Sequence, residues 1–283
     1  MTKKINLSKA ILSFVLISLF CVSLIIFFGC GKENKDGDGG AGNQIFDTNV
    51  PSSEPTVVNE YFLVADGNKL VGLTESGKTQ SSLTIPSSIQ VICIEALRSN
   101  SIITKITLPT SIKAIGDGAF YNCPNLKSVY ITDLKSYALA NTGVLAAPTY
   151  NGADLYLNSN KVTSIDFSKM DIPESSFVGG FAGCKSIESV TLAENIAGLY
   201  ADTFRNCVNL KSVTNGQKLR FIWDYAFSGC TGLTSVNFPA VETIGKQAFY
   251  KCSKLASCVV SKTCNVAGNA FEGAGCQPSK TGN

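Results

Sequence analysis

The chain has 283 residues, 45% of them apolar, enough to bury a sizeable core. The net charge of +3 resides in Lys3, Lys4 and Lys9, within a leader that holds no Asp or Glu, so the chain from Cys30 onward is neutral. A neutral body lacks the concentrated positive footprint of a nucleic-acid partner, and a chain with no His cannot build a Ser–His or Cys–His catalytic couple.

In chain order, the three lysines are followed by Ala10–Phe28, 19 residues without a charge. Such a run is a secretory leader or an uncleaved single membrane span. Gly29-Cys30 closes it, and a small residue directly before Cys resembles a bacterial lipoprotein processing site. The resemblance implies a signal peptide over 1–29, lipid on Cys30 as the first residue of the mature chain, and a location in the cell envelope facing outward. Residues 30–58 carry Gly37–Asn43 and Pro51–Pro55, with too little apolar surface to offset the entropy of ordering. They are expected to form a flexible tether.

Residues 59–82 contain Tyr61–Ala65 and Lys69–Leu73 around Asp66-Gly67-Asn68, a hairpin signal expected to form an N-terminal cap on the repeated units that follow. Gly72-Leu-Thr-Glu-Ser-Gly77-Lys78-Thr79 matches the phosphate-loop pattern letter for letter. A phosphate loop works by opening a helix, yet Ser82-Leu83-Thr84-Ile85-Pro86 reads as the strand-and-proline start of a repeat. No nucleotide is expected.

From there to Cys276 one unit recurs. Phe181-Ala-Gly-Cys184 returns as Phe204-Arg-Asn-Cys207, Phe227-Ser-Gly-Cys230 and Phe249-Tyr-Lys-Cys252, with cysteines 23, 23 and 22 residues apart. Ile187, Leu210, Leu233 and Leu255 follow each Cys by three, then Val190, Val213, Val236 and Cys258 by three more. Ala119-Phe120 with Cys123 is an upstream copy, Ala96-Leu97 a weaker one with Asn100 at the Cys position, and Ala270-Phe271 opens a last copy. A unit this short cannot bury its own apolar face and must stack on its neighbours. Cys123 and Cys184 stand 61 residues apart, so an insertion is expected near 132–161. One Cys per turn reads as a reduced, buried ladder. Without a Cys-x-x-Cys pair or any His, no metal site is expected, and no cofactor either.

The sequence Ile106-Thr-Leu-Pro109, then Ile115-Gly116, Ala119-Phe120 and Cys123, repeated over roughly Tyr61–Cys276, resembles the BspA-like (treponemal-type) leucine-rich repeat. The fold class this implies is a leucine-rich repeat solenoid spanning 83–276, a right-handed coil with residues 277–283 as a tail. One parallel sheet of short strands would form the concave face, with loops or short helical turns on the convex face. Strand alternation turns Ser128, Ser189, Ser212, Ser235 and Ser257 outward, together with Thr107, Tyr130, Thr191, Thr214 and Asn237. Tyr130, Thr191, Thr214, Asn237 and Trp223 are the candidate ligand-binding residues, the aromatic pair first because aromatic anchors carry much interface energy. Trp223 falls where other units carry Gly116 and Gly245.

With no His and no paired carboxylates in a cleft, an enzyme is not expected. The resemblance implies a surface protein, expected as a monomer, that binds host or bacterial surface proteins or glycoproteins. A structural or antigenic display element without a dedicated ligand is the alternative.

Overall fold

The computed structural model describes residues 51–281. The expected signal peptide, Cys30 and the tether up to residue 50 lie outside the described residues. Strand β1 (Thr56–Val58) pairs antiparallel with β2 (Phe62–Ala65), which pairs antiparallel with β3 (Lys69–Leu73). The stretch expected to remain tether as far as Val58 is therefore attached from its last residues inward. Asp66 accepts hydrogen bonds from the backbone N–H groups of Ser52 (3.2 Å) and Ser53 (3.0 Å), and Ser53 Oγ accepts from Asp66 N at 2.7 Å. These contacts hold the Asp66 carboxyl at about pKa 2, the Ser53 hydroxyl being the largest cause.

Beyond β3 the chain winds into a mostly-β solenoid of about nine turns. Each regular turn contributes two strands. A longer one carries the alternating Val or Ile, as in Ser189–Thr191 and Ser212–Thr214; a shorter one precedes the Phe, as in Ala114–Ile115 and Phe221–Ile222. Like strands of successive turns pair in parallel register: Ser189↔Ser212, Val190↔Val213 and Thr191↔Thr214 in the long row, Phe221↔Thr243 and Ile222↔Ile244 in the short row. The single sheet expected is thus two rows, and both rows break near the middle into sheets of six, five, six and five strands. The first two sheets form a first stack and the last two a second.

Backbone hydrogen bonding between turns fixes the spacing, and the apolar residues fill the interior. In the second stack Phe181, Phe204, Phe227, Phe249 and Phe271 form one column with centroid steps of 5.5, 5.6, 5.1 and 4.8 Å and near-parallel rings. Fully burying each ring contributes about 2–3 kcal/mol. The turn after each Phe is tight: Asn122, Asn206 and Lys251 adopt left-handed backbone at φ 57°, 56° and 55°, where Gly183 and Gly229 also stand. The cysteines pack beside this column. The thiols of Cys207, Cys230 and Cys252 donate to the carbonyls of Phe181, Phe204 and Phe227 one turn below, at 3.0–3.1 Å.

The region expected as an insertion resolves differently. Asn141–Thr142 joins the short row beside Ala114–Ile115, and Asp154–Leu157 joins the long row beside Ser128–Ile131. Asn151 Nδ2 donates to Phe120 O at 3.0 Å, the carbonyl position that a thiol serves in other turns. Residues 132–157 are therefore a repeat turn in disguise, with Ala147 where others carry Phe. The surplus residues lie in two places. One is the helix Leu134–Leu139, capped by the Asp133 carboxylate accepting from Ser136 N at 2.5 Å. The other is an antiparallel hairpin from Asp154–Leu157 into Asn160–Lys161, after which Ser164–Asp166 starts the second long row.

Side chains bridge the seam where both rows break. Tyr137 from that helix donates its hydroxyl to Gly180 O at 2.5 Å and lays its ring edge-on to Phe181 at 5.5 Å. Thr149 donates to Ala182 O at 2.8 Å. The apolar core runs without interruption from Phe62 to Phe271.

Candidate functional site

Two outward surfaces carry the residues of interest. The first is the long row of the second stack. Its inward residues Val190, Val213, Val236 and Cys258 are at most 4% exposed, so alternate residues must face out. Ser189, Ser212, Ser235 and Ser257 form one outward file; Thr191, Thr214, Asn237 and Val259 form the next. Thr214 Oγ1 donates to Thr191 Oγ1 at 3.3 Å, tying adjacent turns. A shallow groove of about 400 Å³ runs over Ser212, Thr214, Gln217, Ser235, Asn237 and Val259. Lys211 and Glu188, on adjacent turns just before these serines, are paired at 2.7 Å. The surface offers hydroxyl and amide groups on a rigid floor with little net charge.

Of the five predicted residues, Thr191, Thr214 and Asn237 come together here. Tyr130 occupies the equivalent outward file of the first stack, in register with Tyr156. The two rings stack at 4.8 Å with 11° between planes, and Lys105 Nζ sits 4.3 Å over Tyr130. Tyr156 was missed because the doubled spacing assigned its strand to an insertion, although Leu155-Tyr156-Leu157 alternates as a half-buried strand does.

Trp223 belongs to neither file. Its backbone N–H bonds Leu199 O at 3.2 Å, as Gly116 bonds Ile92 O and Gly245 bonds Ile222 O, so it ends the short-row strand Phe221–Ile222. The glycines at this register make room for a neighbouring turn. A Cβ on Gly245 would lie 2.6 Å from Asp224 N, where the Asp224 carboxylate folds back to accept from Lys246 N at 2.7 Å. Trp223 is 41% exposed and stacks on Phe221 at 6.0 Å.

The residues of the phosphate-loop pattern are engaged locally. Glu75–Lys78 is a single helical turn whose Gly77 N–H is taken by Thr74 Oγ1 at 3.0 Å, and Gly77 packs against the Tyr61 backbone. The buried thiols are held in their neutral form: burial pushes the ladder residues Cys207 and Cys230 far up, and ladder Cys252 and long-row Cys258 to about 12. A thiol so raised is a poor nucleophile at neutral pH.

The model of the BspA type leucine rich repeat region matches in six copies, over residues 76–179 and 149–277. The chain belongs to this family. The solenoid turns are BspA-type repeats, and the turn with Ala147 and Asn151 is a variant among them. Among solved structures, a leucine rich cell surface protein of Faecalibacterium prausnitzii is 23% identical, with a TM-score of 0.51 over 76% of this chain and 56% of that one. This likeness shows the solenoid fold, and the chain spans just over half the length of that protein. A leucine rich repeat protein of Treponema pallidum is 18% identical over 78% of this chain and 89% of that one, with a TM-score of 0.41. No curated protein matches the chain.

Proposed function

We propose that this BspA-type repeat protein is a surface-exposed binding protein, anchored by lipid on Cys30, that attaches to surface proteins or glycoproteins of a host or of other bacteria. The observation that carries the reading is the outward file Thr191–Thr214–Asn237 beside Ser189–Ser212–Ser235. A rigid parallel floor spaces these groups at one strand per turn, about 4.8 Å, so an extended partner meets a regular array of donors and acceptors. Solenoids use such extended faces for partners. Tyr130 and Tyr156 supply the aromatic anchor of the same row in the first stack. The lysine-bearing leader, its uncharged run and Gly29-Cys30 support the anchor, since two or more acyl chains hold a protein firmly to a bilayer. Among the described residues no helix is long and apolar enough to cross a membrane.

The test is binding of the full chain to an array of host glycoproteins and bacterial surface proteins, with a Thr191→Lys, Thr214→Lys, Asn237→Lys variant alongside. Saturable binding that the variant weakens at least about tenfold is expected, the scale of an interface hot spot. Absence of binding to any member, or binding indifferent to the variant, favours the display element instead. Mass analysis of the mature N-terminus checks the lipid: an unmodified Cys30 contradicts the anchor.

A further inference from the structure

Four aromatic residues gather on the outer side of the second stack's short row, a different face from the polar files. Phe177 and Phe221 lie on either side of Gly198 in one paired column, Phe177↔Gly198↔Phe221. Their rings meet across that glycine, 6.0 Å apart with 14° between planes, and a Cβ on Gly198 would lie 2.2 Å from the Phe177 ring. Tyr200 packs over Gly179 and against Phe177 at 5.3 Å; Trp223 extends the group beyond Phe221, with 8° between planes. The repeat does not require these rings. The same column continues as Thr243 and Asn265, and Ala114 with Gly116 holds the corresponding places in the first stack. Their inward neighbours Val178, Leu199 and Ile222 already seal the core.

The patch borders a polar cleft of about 350 Å³ through Arg220, whose guanidinium sits 5.2 Å over Phe221. Four of the cleft's five charges cancel in pairs, and Glu174 adds one further carboxylate. Arg220 bonds both oxygens of Glu242 at 2.7 and 3.0 Å, and Lys218 meets Glu194 at 2.9 Å. Asn195, Gln217 and Glu174 complete the polar wall. The cleft therefore carries one surplus negative charge, which disfavours an anionic ligand. The surface combines the exposed Trp223 and the partly exposed rings of Phe177, Tyr200 and Phe221 with carboxylate, amide and guanidinium groups. That combination fits a neutral sugar ring, whose C–H face lies against an aromatic while its hydroxyls reach hydrogen-bonding side chains. An anionic ligand would meet the surplus carboxylate of Glu174, and a purely apolar one would leave the polar wall unmatched.

We propose that Phe177, Tyr200, Phe221 and Trp223, with the cleft around Arg220, form a binding site for neutral oligosaccharides. The proposal extends the surface-binding reading to a second face and uses separate variants, so the two can fail independently. Trp223 is the chain's single tryptophan, and its fluorescence reports this face alone. The full chain is titrated with neutral tetrasaccharides of glucose, mannose and N-acetylglucosamine in α and β linkages, and with a sulfated tetrasaccharide as the charged comparison. The expected result is a saturable change with at least one neutral probe. Tyr200→Ala and Phe221→Thr, the latter copying Thr243, should weaken it at least about tenfold. The lysine variant of the polar files should leave it unchanged. Should either patch variant lose its cooperative melt, Trp223→Gly, the residue other turns carry there, is followed by titration calorimetry in its place. No response to any neutral probe overturns the proposal, as does preference for the sulfated probe. A response to a polypeptide of the array without any sugar response makes the patch a protein-docking surface and likewise overturns it.

Discussion

The two stacks are built from the same repeat and differ in what fills it. In the second stack the spine position is Phe in five successive turns, and the rings stack without a gap. In the first it is Leu97, Phe120 and Ala147, and an antiparallel hairpin with an added edge strand lies at its start. Their outward aromatics differ as well: Tyr130 and Tyr156 on the long row of the first, Phe177, Tyr200, Phe221 and Trp223 on the short row of the second. The repeat thus constrains the inward residues strongly and the turn length moderately, and it leaves the outward residues free to vary.

The largest expected effect is on the spine. Phe227→Ala removes a ring that touches Phe204, Phe238 and Phe249, and should cost about 3–5 kcal/mol in urea unfolding. A cost below 1 kcal/mol would show that the column contributes little, and the contrast between stacks would lose its meaning. Next comes the close approach between turns. Gly245→Ala drives a methyl into the Asp224 backbone and should cost about 1–3 kcal/mol, whereas Gly268→Ala, where a Cβ meets nothing within 4 Å, should leave the melting temperature nearly unchanged. Equal effects of the two substitutions would contradict the close approach of turns at Gly245.

The seam is tested by Tyr137→Phe, which keeps the ring on Phe181 and leaves Gly180 O without its donor. The expected loss is about 1 kcal/mol, with faster amide exchange around Gly179–Ala182 and little change near Leu83 or Leu255. The smallest effect belongs to the first stack's leading edge. Because folding lowers the Asp66 pKa to about 2, its contribution is complete above the unfolded carboxylate range near 4 and is lost as pH falls toward 2. The amide resonances of Ser52 and Ser53 should shift through that window. Resonances that hold still down to pH 2 would detach Ser52 and Ser53 from Asp66.

Much of this fold was legible because its period is carried by large, buried residues. Phe204, Phe227 and Phe249 with their cysteines mark the spine unmistakably, and Val190, Val213 and Val236 mark the long row. The short row was harder to read. Its strands are two residues long in most turns, too short for alternation to register, and only the hydrogen bonds between turns reveal them. The turn at 132–157 escaped recognition because Ala147 and Asn151 replace Phe and Cys while a helix lengthens the spacing. Of the candidate surface, Thr191, Thr214 and Asn237 were readable from strand alternation alone. The aromatic patch was not, because Phe177, Tyr200, Phe221 and Trp223 converge from three turns across glycines that a linear reading passes over.

Hydrogen exchange of the full chain carrying Phe227→Ala, followed peptide by peptide, tests the shared spine most directly. If successive turns stand on one column, protection falls together from Phe181 to Phe271 and is largely kept in the first stack. Loss confined to the turn of Phe227, with its neighbours as protected as before, would contradict a common spine.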